Sequence, residues 1–311
     1  MTKDKLKIAF TINHTFLMPF SVALLSLLEN NKGDIEKIYL FCDFLSGDEK
    51  LKLQKIISDF QVEMQCIEVD DAQLEKLVTT LHFNKTNYYR LLIPELIAEK
   101  KILYLDADIL VLGSLMPIWE VNLEDNYLAA VWTPGVEWHP ELGVSKKDGY
   151  FNSGVMLINL DKWRGENLGQ KTIQFVKDNP RLIWFVDQCG LNALTKSKWV
   201  KIPLKYNLTV DVYEGIFHES DPGVDMAEIG KAIEDPVIVH FSGTSKPWHT
   251  SNQHPYKWKF WKYLWKTPYS RLLPQDFCVT GVVKYLTPKS VRSFFRKIQY
   301  RYFPRGKFKW K

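Results

Sequence analysis

The chain has 311 residues and a net charge of +5, with 46% hydrophobic and 25% charged residues. This balance is typical of a folded globular protein and excludes an intrinsically disordered chain. The length suits one large α/β domain with an appendage, or two ordinary domains. No stretch approaches eighteen consecutive apolar residues, and the first residues lack the apolar core and cleavage site of a secretory signal. We therefore expect a cytoplasmic protein without a membrane-spanning helix.

The predicted elements alternate between short apolar runs and helix-like segments, which is typical of βαβ units on a mainly parallel sheet. In chain order they are the strand Lys7–Ile12, the helix Pro19–Asn30, the strand Lys37–Cys42, a helix from Ser46 to Phe60, the strand Val62–Val69, the helix Asn87–Ala98, the strands Ile102–Leu105, Tyr127–Trp132 and Gly154–Asn159, the helix Asp161–Asn179, and the strand Val237–Phe241. Ser46 and Glu49 have capping-box spacing. The segment Trp132–Gly149, rich in Gly, Pro, Trp and His, predicts a loop near a functional site.

Four cysteines are scattered through the chain, and none forms a C-x-x-C pair: Cys42, Cys66, Cys189 and Cys278. This pattern argues against a zinc finger and against a disulfide framework. We expect reduced, buried thiols.

Two aspartates, Asp106 and Asp108, follow the apolar strand Ile102–Leu105. Residues two apart on a strand point the same way, so their carboxylates can converge at a strand end, where open α/β sheets bind ligands. Adjacent carboxylates in apolar surroundings favour a cation between them, and oxygen ligands suit Mg²⁺ or Mn²⁺. Taken alone, the pair fits equally well a turn whose aspartates cap a helix or face water.

A second apolar strand, Val237–Phe241, carries His240 near its end and is followed by Gly243 and Lys246. Glycine permits close backbone approach, and lysine can offset the charge of a phosphate. A lone histidine at a strand end is more often structural. Its combination with the glycine, the lysine and the separate aspartate pair favours a metal ligand.

Four motifs together resemble glycosyltransferase family 8, which includes bacterial lipopolysaccharide galactosyl- and glucosyltransferases and glycogenin. The motifs are Asp106-Ala-Asp108, the run from Tyr150 to Leu160, Asp187-Gln188, and the run from His240 to Trp248. The resemblance extends from about Lys7 to His249. It implies a GT-A fold, which is a Rossmann-like α/β fold with a mainly parallel central sheet flanked by helices. It also implies a UDP-hexose donor, Mn²⁺ with Mg²⁺ as the alternative, and retention of anomeric configuration.

The resemblance implies roles for individual residues, matched one position at a time. Asp106, Asp108 and His240 match the metal ligands. Gly243 and Lys246 match the diphosphate contacts. The donor-sugar contacts are matched by Arg90, Asn152, Asp187 and Gln188. Gln188 matches the residue nearest the reacting carbon, and an amide is a poor nucleophile. We therefore expect same-face attack, in which the leaving phosphate helps to deprotonate the acceptor hydroxyl. A covalent intermediate through Asp187 is the alternative.

The end of the first strand departs from the family pattern. The family often has an acidic residue and a tyrosine around the uridine, whereas this chain has Asn13 and Phe16 in those places, after Thr11. Phe16 can stack on a base and Asn13 can pair with its edge. We expect all three residues to contact the nucleotide.

The positive charge is concentrated at the C-terminus. Residues 277–311 contain ten Lys and Arg and no Asp or Glu, so the remaining residues have 41 less 10, or 31, basic residues against 36 acidic ones. Eight aromatic residues lie between Lys284 and Lys311, partly at helical spacing. A basic, aromatic amphipathic helix suits the surface of an anionic membrane. A solvated tail, or one packed on the body, is the alternative, and nucleic-acid binding has no recognition fold to support it.

These observations predict a catalytic domain, residues 1–250, and a C-terminal helical region, residues 251–311, that attaches to the inner face of the cytoplasmic membrane. The predicted enzyme is a retaining hexosyltransferase that moves glucose or galactose from a UDP-sugar to a glycan or glycolipid acceptor of the cell envelope. A sugar nucleotidyltransferase also uses paired carboxylates, but no Gly-rich phosphate loop lies near the first strand. A non-catalytic, membrane-associated nucleotide-sugar-binding module is a further alternative.

Overall fold

The computed structural model describes residues 4–75, 77–79, 84–133, 140–145, 147–217, 224–274 and 276. The strands of the described residues are β1 (Leu6–Ile12), β2 (Ile35–Cys42), β3 (Glu63–Glu68), β4 (Lys101–Leu105), β5 (Ile109–Val111), β6 (Leu128–Trp132), β7 (Phe151–Asn159), β8 (Trp199–Ile202), β9 (Leu208–Thr209) and β10 (Ile238–His240). The α-helices are α1 (Leu17–Asn30), α2 (Gly47–Ile57), α3 (Ile93–Leu96), α4 (Met116–Trp119), α5 (Leu160–Gly165), α6 (Leu168–Asp178), α7 (Val186–Thr195), α8 (Val210–Glu214), α9 (Met226–Glu234) and α10 (Lys257–Leu264).

The larger sheet has seven strands in the order β3-β2-β1-β4-β7-β6-β8. The pairs β3–β2, β2–β1, β1–β4 and β6–β8 are parallel, whereas β7 is antiparallel to both of its neighbours. The carboxyl ends of β1 and β4 therefore meet the beginning of β7 at one edge of the sheet. This mainly parallel α/β architecture confirms the predicted fold class.

A smaller sheet, in the order β5-β10-β9, lies beside that edge. Its strand β10 is antiparallel to β5 and parallel to β9, and His240 pairs with Ile109. The register therefore brings the end of β10 back to the residues that follow β4.

Hydrophobic cores lie on both faces of the larger sheet. Leu103 and Leu105 of β4 pack on the face that α1 covers, and Ile102 and Tyr104 pack on the face that α6 and α7 cover. This division follows the two-residue alternation of side chains along a strand. Strands covered on both faces consist mostly of apolar residues, which explains why the predicted strands appear as continuous apolar runs.

Two predicted helices differ in the structure. The segment predicted as the helix Asn87–Ala98 is a 3₁₀ helix, Lys85–Leu92, followed by the single turn α3. Pro94 has no N–H to donate to the carbonyl of Arg90, so an α-helix cannot run through it unbroken. The predicted helix Asp161–Asn179 is divided into α5 and α6, because Asn167 adopts a left-handed conformation with φ of 56°.

The predicted start of the second helix is confirmed, and its end is shifted. The capping box of Ser46 and Glu49 is present at the start of α2, which ends at Ile57 rather than at Phe60. Cys42 and Cys189 are buried free thiols, as expected, whereas Cys66 is a free thiol that is only half-buried, on the edge strand β3. Among the described residues, no helix is both long enough and apolar enough to cross a membrane.

Part of the predicted loop, at residues 134–139 and 146, lies outside the described residues, as do Cys278 and the basic tail, residues 277–311.

Candidate active site

A cleft of about 290 Å³ opens at the edge where β1 and β4 end and β7 begins. Every residue that the sequence analysis assigned to the site lines this cleft: Thr11, Asn13, Phe16, Arg90, Asp106, Asp108, Asn152, Asp187, Gln188, His240, Gly243 and Lys246. The structure thus brings together residues that are up to 235 positions apart in the chain, counted from Thr11 to Lys246.

Asp106, Asp108 and His240 form one group whose candidate ligand atoms all lie within 4.8 Å of one another. The Nε2 atom of His240 is 3.7 Å from Oδ2 of Asp106 and 3.3 Å from Oδ1 of Asp108. The predicted convergence is present, but its predicted cause is wrong. The two aspartates lie in a bend between β4 and β5 rather than on one strand, and it is this bend that turns both carboxylates towards the end of β10.

Asp106, Asp108 and His240 each have a second polar side-chain atom, and this atom bonds to a residue outside the group. Oδ1 of Asp106 accepts from Nη2 of Arg90 at 2.9 Å and from the hydroxyl of Tyr104 at 2.8 Å. Oδ2 of Asp108 accepts from Nζ of Lys246 at 2.6 Å. Nδ1 of His240 contacts Oδ1 of Asn207 at 2.8 Å. These contacts leave one carboxylate oxygen from each aspartate and one imidazole nitrogen facing a common point.

Gly154 forms a bare backbone wall beside this point. A Cβ at residue 154 would lie 2.6 Å from Oδ2 of Asp106 and closer still to Cε1 of His240, so no larger residue fits there without displacing them. The backbone N–H of Asp106 donates to the carbonyl of Gly154 at 2.8 Å, which fixes this approach. Two carboxylate oxygens and one imidazole nitrogen around such a space fit a divalent cation such as Mn²⁺.

The charges of the site are strongly coupled. Burial opposes ionisation of Asp108, but Lys246 and His240 outweigh it and hold the pKa of this carboxyl well below its usual range. Burial lowers the pKa of Arg90, but Asp106 and Asp187 outweigh it, and the net pKa lies above its usual value. The guanidinium, which is only 2% exposed, is therefore a permanent cation inside the site.

Asp187 is buried against this guanidinium. Its Oδ2 lies 3.3 Å from Nε of Arg90, yet Nε donates its hydrogen bond to the carbonyl of Asn87, and Oδ2 has no hydrogen-bond partner among the described residues. Burial raises the pKa of Asp187 to about 6, although Arg90 acts in the opposite direction. The preceding residue, Val186, has φ of 36°, a strained conformation for a β-branched side chain. Such strain is often found where a protein positions functional groups.

Gln188 is fixed by a hydrogen bond within the protein, whereas Gly243 is not constrained by its neighbours. Oε1 of Gln188 accepts from the backbone N–H of Ser153 at 3.0 Å. A Cβ at Gly243 would meet Val210 only at an ordinary contact distance of 3.5 Å, so packing within the protein does not require glycine at this position. The predicted approach of a diphosphate to Gly243 stays a prediction.

The predicted nucleotide end of the cleft contains polar and aromatic groups. Oδ1 of Asn13 accepts from the hydroxyl of Thr15 at 2.6 Å, and the rings of Phe16 and Trp248 meet edge to face at 6.1 Å. The hydroxyl of Thr11 lies 2.8 Å from that of Tyr104. Thr11 therefore supports Asp106 through Tyr104, and its predicted contact with the nucleotide stays a prediction.

Tyr104, Asn207 and Asp211 contribute to the site although the sequence assigned them no role in it. Tyr104 lies within an apolar strand and is typical of a core residue by pattern alone. Asn207 belongs to no motif, and it is fully buried between the 3₁₀ turn Leu204–Tyr206 and β9. Asp211 lines the cleft, and burial raises its pKa. None of the three has a spacing signal that distinguishes it from an ordinary core or surface residue.

The chain is similar in sequence to a known family and to curated bacterial proteins. The family model described as glycosyl transferase family 8 matches residues 7–252. General stress protein A of Bacillus subtilis is 31% identical over 254 residues, which are 79% of this chain and 88% of that protein. The lipopolysaccharide 1,3-galactosyltransferase of Salmonella typhimurium is 28% identical over 86% of this chain and 80% of its own length.

A solved structure shares the fold. The galactosyltransferase LgtC, in complex with donor and acceptor sugar analogs, superimposes with a TM-score of 0.76 over 87% of this chain and 98% of LgtC, at 24% identity. The chain therefore has the GT-A fold that the sequence analysis predicted. The family match spans most of the chain and covers the whole of the cleft described above, and the chain belongs to glycosyl transferase family 8.

Proposed function

We propose that the protein is a retaining, metal-dependent transferase that moves glucose or galactose from a UDP-sugar to a glycan or glycolipid acceptor of the cell envelope. Mn²⁺ is the proposed ion and Mg²⁺ the alternative. The observation that carries the proposal is the convergence of Asp106, Asp108 and His240 beside the ammonium of Lys246.

The residues of the cleft would stabilise the departing nucleotide. A bound divalent cation supplies Lewis-acid stabilisation of the charge on a leaving diphosphate. Lys246 adds a second positive charge, and its ammonium is held by Oδ2 of Asp108 and the carbonyl of Phe241, both at 2.6 Å. Because Lys246 is buried, this charge is screened little by solvent and stays in one place.

The donor sugar would lie beside Asp106, Asp108 and His240, in the part of the cleft that Arg90, Asp187 and Gln188 line. Asp187 is 1% exposed, and its carboxylate faces the guanidinium, which supports a role in orienting Arg90 rather than in attack on the sugar. Gln188 is an amide anchored to the backbone of Ser153. We therefore propose same-face attack, in which the leaving phosphate takes the proton of the acceptor hydroxyl.

We also propose that the protein lies on the inner face of the cytoplasmic membrane, attached through the region 251–311. Helix α10 supports this among the described residues, because Trp258 is 65% exposed and Trp265 is 50% exposed, and their rings meet edge to face at 5.2 Å. Helical spacing puts Lys262 between them. Residues 236–275 contain no Asp or Glu. We call the surface formed by Trp258, Lys262 and Trp265 the tryptophan face.

The direct test is a screen of UDP-sugars for Mn²⁺-dependent release of UDP by the purified protein, with and without an acceptor array. Asp108→Ala should abolish the release. Asp125→Ala, which removes an exposed aspartate paired with Lys162, should leave it unchanged. The proposal is wrong if the wild-type protein with Mn²⁺ neither binds nor turns over any UDP-sugar. Pyrophosphate release from a nucleoside triphosphate would instead indicate nucleotidyl transfer, and binding without turnover would indicate a binding module.

A further inference from the structure

Asn207 lies directly behind His240 and has no assigned role. We propose that Asn207 is a positioning residue that keeps the proton of His240 on Nδ1, so that the Nε2 lone pair faces the cation, and that it joins this ligand to the donor-sugar residue Asn152. The inference rests on the proposed function for the identity of the ligand, but not for the hydrogen-bond pattern itself.

The direction of each hydrogen bond follows from one backbone group. The N–H of Gly154 can only donate, and it lies 2.9 Å from Oδ1 of Asn152, so this atom is the amide oxygen. The Asn207 atom 2.8 Å from the same oxygen must also donate, and it is therefore the amide nitrogen Nδ2. The other amide atom of Asn207 is then its oxygen, which only accepts.

This oxygen sets the tautomer of the histidine. It lies 2.8 Å from Nδ1 of His240, so Nδ1 must carry a proton. In the neutral ring, Nε2 then has a free lone pair, and Nε2 is the atom that faces the carboxylates of Asp106 and Asp108. The opposite tautomer would put a hydrogen where the cation binds, and Asn207 removes this competing state.

The same network limits what Asn152 can offer to a ligand. Its amide oxygen already accepts two hydrogen bonds, from Gly154 and from Asn207, and an amide oxygen has two lone pairs. Only the NH₂ group of Asn152 remains, so we expect it to donate to an oxygen of the donor sugar. Loss of Asn207 should therefore weaken binding of both the cation and the sugar.

Asn207→Leu tests the proposal, because leucine keeps the size of the side chain and removes both hydrogen bonds. Removal of the outer hydrogen bond of a metal-bound histidine typically weakens metal binding roughly 10- to 100-fold. We expect a loss of this size in the Mn²⁺ affinity of the full-length protein with UDP, measured from the electron paramagnetic resonance signal of free Mn²⁺. Asn31→Leu is the matched control, since Asn31 is also a buried amide, and its three hydrogen bonds lie at the C-terminal end of α1, away from the cleft.

A second measurement needs no substitution at residue 207. In the metal-free wild-type protein, ¹⁵N resonances of the histidine rings, recorded above the usual imidazole pKa of about 6.5, should show a proton on Nδ1 of His240. Comparison with His240→Gln assigns the signal. A proton on Nε2 instead would overturn the proposal, as would a folded Asn207→Leu protein with wild-type affinity for Mn²⁺. If the wild-type protein binds no Mn²⁺, the proposed function fails, and the tautomer still decides whether Asn207 acts as described.

Discussion

The hydroxyl of Tyr104 donates a hydrogen bond of 2.8 Å to Oδ1 of Asp106. Burial raises the pKa of Tyr104 well above its usual value, so the phenol keeps its proton, and an ionised carboxylate can only accept it. The phenol has one proton, so Thr11 must in turn donate to the phenol oxygen. The guanidinium of Arg90 lies 4.4 Å from the centre of the same ring. Tyr104 thus helps to fix which oxygen of Asp106 faces the metal position.

Tyr104→Phe removes this hydroxyl and little else. A hydrogen bond to a charged group contributes about 1.5–3 kcal/mol, and Arg90 still holds Oδ1 of Asp106 in the variant. We therefore expect the Mn²⁺ affinity and kcat/KM to fall roughly tenfold, since 1.4 kcal/mol corresponds to one decade. Tyr127→Phe is the matched control, because its hydroxyl bonds Glu166 far from the cleft. Equal affinities for all three proteins would show that Tyr104 does not position Asp106.

Gly154→Ala should abolish metal binding. The added methyl would occupy space between Asp106, His240 and Asn152, none of which can move without breaking a described hydrogen bond. Overpacking of this kind typically costs 1–3 kcal/mol of stability, so we expect a folded but inactive protein. Titration with Mn²⁺ by calorimetry measures the loss.

The control is Gly230→Ala on α9, where a Cβ would meet no described atom within 4 Å. Alanine in a helix interior is about 0.5–1 kcal/mol more favourable than glycine, so this variant should be slightly more stable and bind Mn²⁺ normally. Normal Mn²⁺ binding by Gly154→Ala would contradict the described ligand geometry.

Some of these residues could be predicted from the sequence, and the reason is physical. Asp106, Asp108 and His240 are polar residues at the ends of apolar runs, and the ends of strands in an α/β sheet meet at a common edge. Asn207 and Tyr104 have no such signal, because their roles depend on which atom of a distant residue each one meets. No periodicity in the sequence reports that the amide of Asn207 lies against an imidazole 33 residues away.

The errors in the predicted elements have the same origin. The alternation rule assumes that Asp106 and Asp108 continue the strand, whereas the chain bends there to enter a second sheet. The long helix predicted up to Ala98 includes Pro94, whose missing N–H is visible in the sequence, and the 3₁₀ helix before it was not predicted. The break at Asn167 depends on a left-handed backbone conformation. Asparagine tolerates this conformation but does not impose it, so the residue type alone does not predict the break.

Stability should depend on pH through His254. This imidazole packs between Tyr213 and Phe241, and burial lowers its pKa from 6.5 to about 4. Between these two values the unfolded chain binds a proton that the folded chain does not, so the free energy of unfolding falls as the pH falls through this window. One pKa unit corresponds to 1.36 kcal/mol, so the loss from this group is at most about 3.4 kcal/mol, and it disappears as the pH rises beyond 6.5.

His254→Asn tests this assignment. Asparagine keeps an acceptor for the N–H of Tyr256, which Nδ1 of His254 accepts at 3.2 Å, and it has no charge at any pH in the window. Urea unfolding of both proteins near pH 7.5 and pH 4.5 measures the difference. The wild-type protein should lose more stability than the variant between the two values. Parallel losses in both proteins would show that another group is responsible.

Membrane attachment should depend on the tryptophan face as well as on the tail. Tryptophan prefers the boundary between lipid headgroups and acyl chains, and each cation near an anionic surface contributes about 1 kcal/mol. Lys266 is paired with Glu29 at 2.9 Å, so Lys262 is the cation of this face that we expect to meet lipid. The double change Trp258→Gln and Trp265→Gln should reduce co-sedimentation of the full-length protein with anionic vesicles and should leave UDP-sugar hydrolysis intact.

A comparison of vesicles and chain lengths separates the two contributions. Neutral vesicles should bind the wild-type protein weakly, because the proposed attachment is partly electrostatic. A chain ending at Pro274 lacks the ten cations of residues 277–311 and should bind anionic vesicles more weakly than the full chain, while keeping the contribution of the tryptophan face. Equal binding by the full and shortened chains would remove the tail from the attachment. Equal binding by the double variant and the wild-type protein would show that α10 does not take part in the attachment, because the two proteins differ only at Trp258 and Trp265.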